Sequence, residues 1–312
     1  MKQSIISTTQ LAKICGVSQG TVDRALNNRK GISPKTKEKI LTIAKEYGYR
    51  PNIHARSMAG RDSMLIGVVV FDLDNQYFSN ILTSIEKYCT PKGYSTIVMF
   101  TNKDVTKELE CLQHLYRISV DGIILCPINS GTEFENYLLS LDTPIITIGN
   151  RLKQFPHVGI NDAHAMQYAA EFVLSNGYNR LIYVKPTLAD KNTFAQTERL
   201  NAFIQVMEQT HTEYVITDLT NAANQIALHR KNAFICPTDI YALKLLPIVE
   251  NCSAGIIGFD NICLIDMLKL KLDSISYDIE KTAKLAADYI IDDIVPDTEI
   301  EYKLVKRGSI QP

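Results

Sequence analysis

The sequence contains no tryptophan, only six histidines and only seven cysteines. The cysteines (Cys15, Cys89, Cys111, Cys126, Cys236, Cys252 and Cys263) are odd in number and scattered. None stands in a Cys-x-x-Cys or Cys/His ligand spacing, which argues against a zinc module and a disulfide framework. They are expected to be small buried apolar residues in a reducing compartment. The histidines form no pair at metal spacing, so no metal and no cofactor is expected. Met1 to Gln10 lacks the apolar core of a signal peptide. The longest apolar runs, such as Met64–Phe71, fall far short of the roughly 18 residues that a membrane helix needs. These absences point to a cytoplasmic protein with no membrane partner. Also missing are a Gly-x-Gly-x-x-Gly fingerprint, a phosphate loop and a Gly-x-Ser-x-Gly elbow, so no enzyme is expected.

What is present is an ordinary apolar content of 46 % and a charged content of 21 % over 312 residues, enough for about two packed domains. The net charge is −1, yet it is unevenly spread. Residues 1–62 hold twelve basic and four acidic side chains, and the remainder is correspondingly acidic. A small basic head on a larger acidic body is the layout expected when one part meets a polyanion.

Residues 4–49 read as three short helices. Ser7 can cap the first, whose inward face carries Leu11, Ala12, Ile14 and Cys15, and Gly16 stops it. Ser18 can cap a second helix running to about Asn27, with Val22, Ala25 and Leu26 inward. Ser33-Pro34 starts a third, with Ile40, Ile43 and Ala44 at helical spacing. Two helices joined by a short glycine-containing turn form a helix-turn-helix candidate, the second helix entering the major groove through its first turn. That turn presents Gln19, Gly20, Thr21, Asp23 and Arg24. Gln can pair with adenine and Arg with guanine, while Ser and Thr hydroxyls suit phosphates. The competing reading is a helical bundle with a solvated basic face.

The run Leu11-Ala12-Lys13-Ile14-Cys15-Gly16-Val17-Ser18-Gln19-Gly20-Thr21-Val22-Asp23-Arg24-Ala25-Leu26-Asn27 resembles the headpiece of the lac repressor (LacI/GalR) family. So do Ser33-Pro34-Lys35-Thr36-Lys37-Glu38-Lys39-Ile40 and Tyr47-Gly48-Tyr49-Arg50-Pro51-Asn52. The resemblance implies base contacts from Gln19, Gly20 and Arg24, and phosphate contacts around Thr9, Ser18, Thr21, Asn27 and Tyr49. Gly20 has no side chain, so one reading position of the family is silent. Asn52 to Gly60 is too short for a helix that stands alone in water. Either it is a plain linker, or it folds on DNA. The resemblance favours the second, with Asn52 as cap, Ala55 small enough for a twin helix to approach, and Met58 as a minor-groove wedge where relatives carry Leu.

From Met64 onward, β-rich runs alternate with amphipathic stretches. The strands are expected at Leu65–Phe71, Ser95–Phe100, Gly122–Cys126, Ile145–Ile148, Leu181–Val184, Tyr214–Thr217, Ala233–Cys236 and Gly255–Gly258. Helices are expected at Tyr77–Pro91, Thr106–Ser119, Ala163–Asn176 and Ala195–Thr210. Such alternation predicts parallel sheets in two doubly wound α/β halves, with ligands beyond the carboxyl ends of the strands. The resemblance continues through Leu65-Ile66-Gly67-Val68-Val69, Asp121-Gly122-Ile123-Ile124, Arg199-Leu200-Asn201-Ala202-Phe203 and Ile257-Gly258-Phe259-Asp260.

That resemblance implies a helix-turn-helix headpiece over residues 1–50 and a hinge over 51–63. It implies an N-terminal lobe over 64–158 and 278–294, and a C-terminal lobe over 159–277 and 295–312, arranged like a periplasmic sugar-binding protein. Between the lobes it implies an effector cleft lined by Asp72, Tyr77, Phe78, Arg199 and Asp260, with Arg151, Thr238 and Tyr277 as weaker candidates. Each also has a structural reading, as a salt bridge or a core residue. Thr238 stands where relatives carry Asn, and Gly149-Asn150 where they carry Asp. The implied function is a homodimeric repressor on a pseudo-palindromic double-stranded operator, controlled by a sugar or sugar derivative. A solute-binding protein and a sugar-metabolising enzyme of similar fold are the rival classes.

Overall fold

A computed structural model describes residues 6–26, 28–49, 62–186, 194–252 and 254–312. Contacts divide the chain into two compact units, Met1–Ser63 and Met64–Pro312.

The first unit holds α1 (Thr8–Cys15), α2 (Gln19–Leu26) and α3 (Pro34–Glu46). Local chemistry sets their ends. Ser7 and Gln10 form a reciprocal capping box on α1, and Gly16 closes it at φ 70°. Ser18 Oγ accepts from the Thr21 amide at 3.2 Å at the start of α2. Ser33 caps α3, with proline in its first turn. Leu11, Ala12, Cys15, Val22, Ala25, Ile40 and Ala44 close a small separate core. Ile14, expected inward, is 41 % exposed. At about 100° per residue it lies roughly 110° from the centre of the Leu11–Ala12–Cys15 stripe.

The second unit contains two sheets. The first has the order β2-β1-β3-β4-β5, all parallel. Its strands are β1 (Leu65–Val70), β2 (Ser95–Phe100), β3 (Gly122–Leu125), β4 (Ile145–Ile148) and β5 (His157–Val158). They alternate with α4 (Gln76–Cys89), α5 (Val105–Arg117) and α6 (Thr132–Leu139). The second sheet has the order β11-β10-β9-β8-β6-β7. Its strands are β6 (Arg180–Val184), β7 (Glu213–Thr217), β8 (Asn232–Ile235), β9 (Gly255–Phe259), β10 (Asp273–Tyr277) and β11 (Tyr302–Val305). Among the described residues, only β11 runs antiparallel, against β10. The helices that follow β5 are α7 (Asp162–Ser175), α8 (Phe194–Gln209), α9 (Asp239–Cys252), α10 (Cys263–Met267) and α11 (Ile279–Asp292).

The chain crosses between the lobes after β5, after β10 and after α11. The last helix therefore belongs to the first lobe, where it packs on α4 and β3. A Cβ on Gly122 would meet Ile290 at 2.5 Å, so this strand residue has to lack one for α11 to lie so close. Tyr88, Lys92 and Lys284 all hold the carboxylate of Asp288, which ties α11 to α4.

Among the described residues, no helix is long and apolar enough to cross a membrane. Five of the seven cysteines are buried as expected, but Cys252 and Cys263 are exposed. They sit at the end of α9 and the start of α10, where each helix meets the surface.

Candidate functional site

Two surfaces gather the residues singled out by sequence. On the first unit, Gln19, Gly20 and Arg24 are exposed on α2, and Thr21 and Asp23 are partly covered. Gln19 Nε2 donates to Thr9 Oγ1 at 2.5 Å, which joins α2 to α1 at this face. Ser18 Oγ lies 2.9 Å from Thr21 Oγ1, and Thr8 Oγ1 lies 2.9 Å from the Tyr49 hydroxyl. Asp23 pairs with Arg29 at 3.6 Å. Of the sequence-predicted DNA contacts, Asn27, Asn52, Ala55 and Met58 lie outside the described residues.

On the second unit, the carboxyl ends of both sheets face a cavity of about 190 Å³. The turn after β1 supplies Asp72, the first turn of α4 supplies Tyr77 and Phe78, and the turn after β4 supplies Asn150. The other lobe supplies Arg199 from the first turns of α8, Thr238 after β8, Asp260 after β9 and Tyr277 at the end of β10. Arg151 is the exception. Its guanidinium is half exposed, lies 3.9 Å from Glu299, and is not part of the cavity wall.

Arg199 is the most constrained group. Its Nε donates to Asp162 Oδ1 at 2.7 Å and its Nη1 to the Pro237 carbonyl at 2.7 Å. The guanidinium carbon stands 3.6 Å from the centre of the Phe259 ring. Burial opposes its charge, but Asp162 and Asp260 outweigh that and hold the guanidinium protonated. Asp260 Oδ1 accepts from the Tyr277 hydroxyl at 2.9 Å and Oδ2 from Asn75 Nδ2 at 2.7 Å. The second of these bonds spans the two lobes. Burial raises the carboxyls of Asp162 and Asp260, and Arg199 draws both back down. Burial also pushes the Tyr77 and Tyr277 phenols well up, so both are neutral hydroxyls. Their rings are in tilted contact in the cavity wall, with centroids 5.8 Å apart.

Several participants were not singled out from the sequence. Asn75 has an ordinary local role as the cap of α4, accepting from the Tyr77 amide, and nothing local discloses its bond to Asp260. Asp162 opens α7, where an acidic residue is unremarkable. Lys103 lies in the cavity wall and pairs with Asp72 at 3.1 Å. Asn150, marked in the sequence only as standing where relatives carry Asp, links the Pro127 carbonyl to the Ala195 amide, at 2.7 and 3.0 Å, and so joins the lobes.

The cavity combines aromatic faces with a fixed array of donors and acceptors. That array suits a compact, hydroxyl-rich molecule whose ring has an apolar face and a polar rim. Among the described residues, no group of three or more His, Cys, Asp or Glu is placed to hold a metal ion.

Comparison with known proteins matches residues 9–52 to bacterial regulatory proteins of the lacI family. Residues 63–233 match the periplasmic binding proteins and sugar binding domain of the LacI family, more than half of the chain. The sucrose operon repressor of Pediococcus pentosaceus is 30 % identical over 271 residues, covering 82 % of each chain. A LacI-family transcriptional regulator from Silicibacter pomeroyi superposes with a TM-score of 0.82 at 22 % identity, over 98 % of this chain and 100 % of that one. The lac repressor dimer bound to operator and an anti-inducer superposes at 0.81 with 18 % identity, over 99 % and 100 %.

Proposed function

The chain belongs to the LacI family of bacterial regulatory proteins, and from that premise we propose that it is a cytoplasmic transcriptional repressor whose grip on operator DNA is set by a sugar or sugar derivative. The observation that carries the second half is the convergence of Arg199, Asp260 and Tyr277 from one lobe with Asn75 and Tyr77 from the other on one cavity.

In this reading Gln19 and Arg24 meet base edges. Thr9, Ser18, Thr21 and Tyr49 meet phosphates, joined by Asn27, and Asn52, Ala55 and Met58 belong to a hinge that orders on DNA. A homodimer matches its two-fold axis to a pseudo-palindromic duplex. In the cleft, Arg199 donates to ligand hydroxyls, Asp260 accepts from them, and Tyr77, Phe78 and Tyr277 cover the apolar face of the ring. Asp72 and Thr238 border the same space. Because Asn75 and Asp260 bond across the lobes, a ligand that takes either group alters what holds the lobes together. Such a ligand controls DNA affinity to the extent that it binds the two lobe arrangements unequally, typically by about 1–3 kcal/mol.

The test is a thermal-shift panel on the full chain with D-glucose, D-fructose, sucrose, D-ribose, cellobiose, the 6-phosphates of the hexoses, and sorbitol. It is run beside duplex selection from a random pool. Stabilisation by at least one panel member and enrichment of a two-fold symmetric duplex support the proposal. Turnover of a panel sugar favours an enzyme. Sugar binding with no duplex enriched favours a solute receptor.

A further inference from the structure

The carboxylate that faces the cavity is carried on unusual backbone. Asp260 has φ 100° and Asn261 φ 50°, so two consecutive L-residues lie in the left-handed region. Such a pair is costly and persists only where its surroundings over-determine it. Here every amide of the turn has an acceptor. The Asp260 amide donates to the Ile275 carbonyl at 2.9 Å, that of Asn261 to Ser274 Oγ at 3.0 Å, and that of Ile262 to Asp239 Oδ2 at 2.9 Å. Ser274 Oγ in turn donates to Asp239 Oδ1 at 2.7 Å. Asp239 is fully buried beneath the turn, against Gly258.

The side chain of Asn261 is fastened too. Its Nδ2 donates to Ser276 Oγ at 3.2 Å, and its Oδ1 accepts from Arg307 Nη2 at 2.7 Å. Arg307 follows β11 and is not part of the cavity wall. Its side chain is 13 % exposed. Its Nη1 reaches the Leu272 carbonyl at 3.2 Å and its Nε reaches Asp266 Oδ1 at 2.8 Å. The Arg307 amide itself donates to Asp273, whose carboxylate also accepts from the amides of Gly308, Ser309 and Ile310. The guanidinium is therefore a rigid peg, anchored to α10 and to the residue before β10, with one prong on the residue beside Asp260.

We propose that Arg307 is a positioning residue for the cleft, aiming the Asp260 carboxylate at the bound molecule through Asn261. This rests on the sugar-binding reading of the cavity. The planar fork matters because it reaches Asn261, Asp266 and the Leu272 carbonyl at once, which an ammonium on a flexible stem does not reproduce. Groups that set a binding geometry need support of this kind, since small misplacements are costly.

The experiment titrates the full-length chain calorimetrically with the panel sugar that most stabilises the wild type, below the melting point of every variant. Arg307→Met is expected to lose about tenfold in affinity, the scale of coupling between groups in direct contact. Asp266→Asn removes only the exposed partner of Arg307 and is expected to stay within about twofold. Asn261→Gly removes the acceptor of Arg307 while tolerating the left-handed backbone, and so keeps the test open should Arg307→Met not fold. Its loss should match that of Arg307→Met, and the double variant should bind no worse than either single one. A purely structural role would lower melting temperatures and leave the affinity of the folded protein unchanged. Wild-type affinity in Arg307→Met or Asn261→Gly overturns the proposal while leaving the sugar reading intact. A wild-type chain indifferent to every panel sugar overturns both.

Discussion

Replacing Arg199 by methionine is the most demanding perturbation of the cleft. Methionine keeps the apolar stem but removes the charge. The side chains of Arg199 and Asp162 are only 9 % and 12 % exposed, so the deletion strands a carboxylate in a poorly hydrated place. Breaking a buried pair in this way costs about 3–5 kcal/mol. Loss of the contact with the Phe259 ring at 3.6 Å acts in the same direction. Against a typical total stability of about 5–15 kcal/mol the effect is large. The double variant Arg199→Met/Asp162→Asn should recover most of it, because the Asp162 charge is then gone and the Asp260 carboxylate keeps its hydrogen bonds from Tyr277 and Asn75. The deficit should also depend on pH. Burial raises the Asp162 carboxyl, and Arg199 is what pulls it down. Without the arginine, the native state holds the Asp162 proton more tightly than the unfolded chain does. The stability of Arg199→Met is then best at pH below the unfolded carboxylate value and falls as pH rises through the raised native one. Urea unfolding followed by circular dichroism, for the wild type and both variants between pH 4 and 8, measures this. A cost under about 1 kcal/mol, or a double variant no better than the single one, would refute the reasoning.

Other outcomes follow from particular residues. Arg24→Ala should lose about 1–3 kcal/mol of discrimination at one base pair in sequencing of selected duplexes, and uniform weakening would assign Arg24 to a phosphate instead. Tyr183 is fully buried and its hydroxyl has no hydrogen-bond partner among the described residues, so Tyr183→Phe should stabilise by about 1 kcal/mol, or roughly 2–4 °C in melting temperature. Destabilisation would mean that the hydroxyl is satisfied after all. Burial, and then the neighbouring charge of Asp260, push the Asp239 carboxyl up to about 8. Its contribution is therefore complete below about pH 4 and is lost as pH rises towards 8, and Asp239→Asn should flatten that part of the stability profile.

The parts of the fold that were legible in the sequence are those that local chemistry decides. Ser7 and Ser33-Pro34 mark the starts of α1 and α3, and the apolar runs at β1, β3 and β4 mark strands buried on both faces. β10 was not legible. Asp273, Ser274 and Ser276 make it look like a loop, because Asp273 is buried to accept the amides of residues 307–310 and Ser274 is buried to reach Asp239. β5 has only two residues, and α9 carries Pro247 in its interior. Residues of the cleft divide in the same way. Tyr77, Phe78 and Asp260 stand just past strands, where the alternation of elements directs attention. Asn75 and Asp162 look like helix-start residues, and their partners lie 185 and 37 positions away. Only the folded chain brings those partners together, and only it shows that Arg151 turns away from the cavity.

The most direct measurement is the fluorescence anisotropy of a labelled selected duplex titrated with the full-length chain, with and without the best panel sugar and across a range of salt. The account predicts affinity that falls with salt at a log–log slope of about −0.9 per phosphate contacted. It also predicts a shift of roughly 5–150-fold when the sugar is present. Binding that ignores salt, or that is the same with the sugar saturating the cleft, would contradict it.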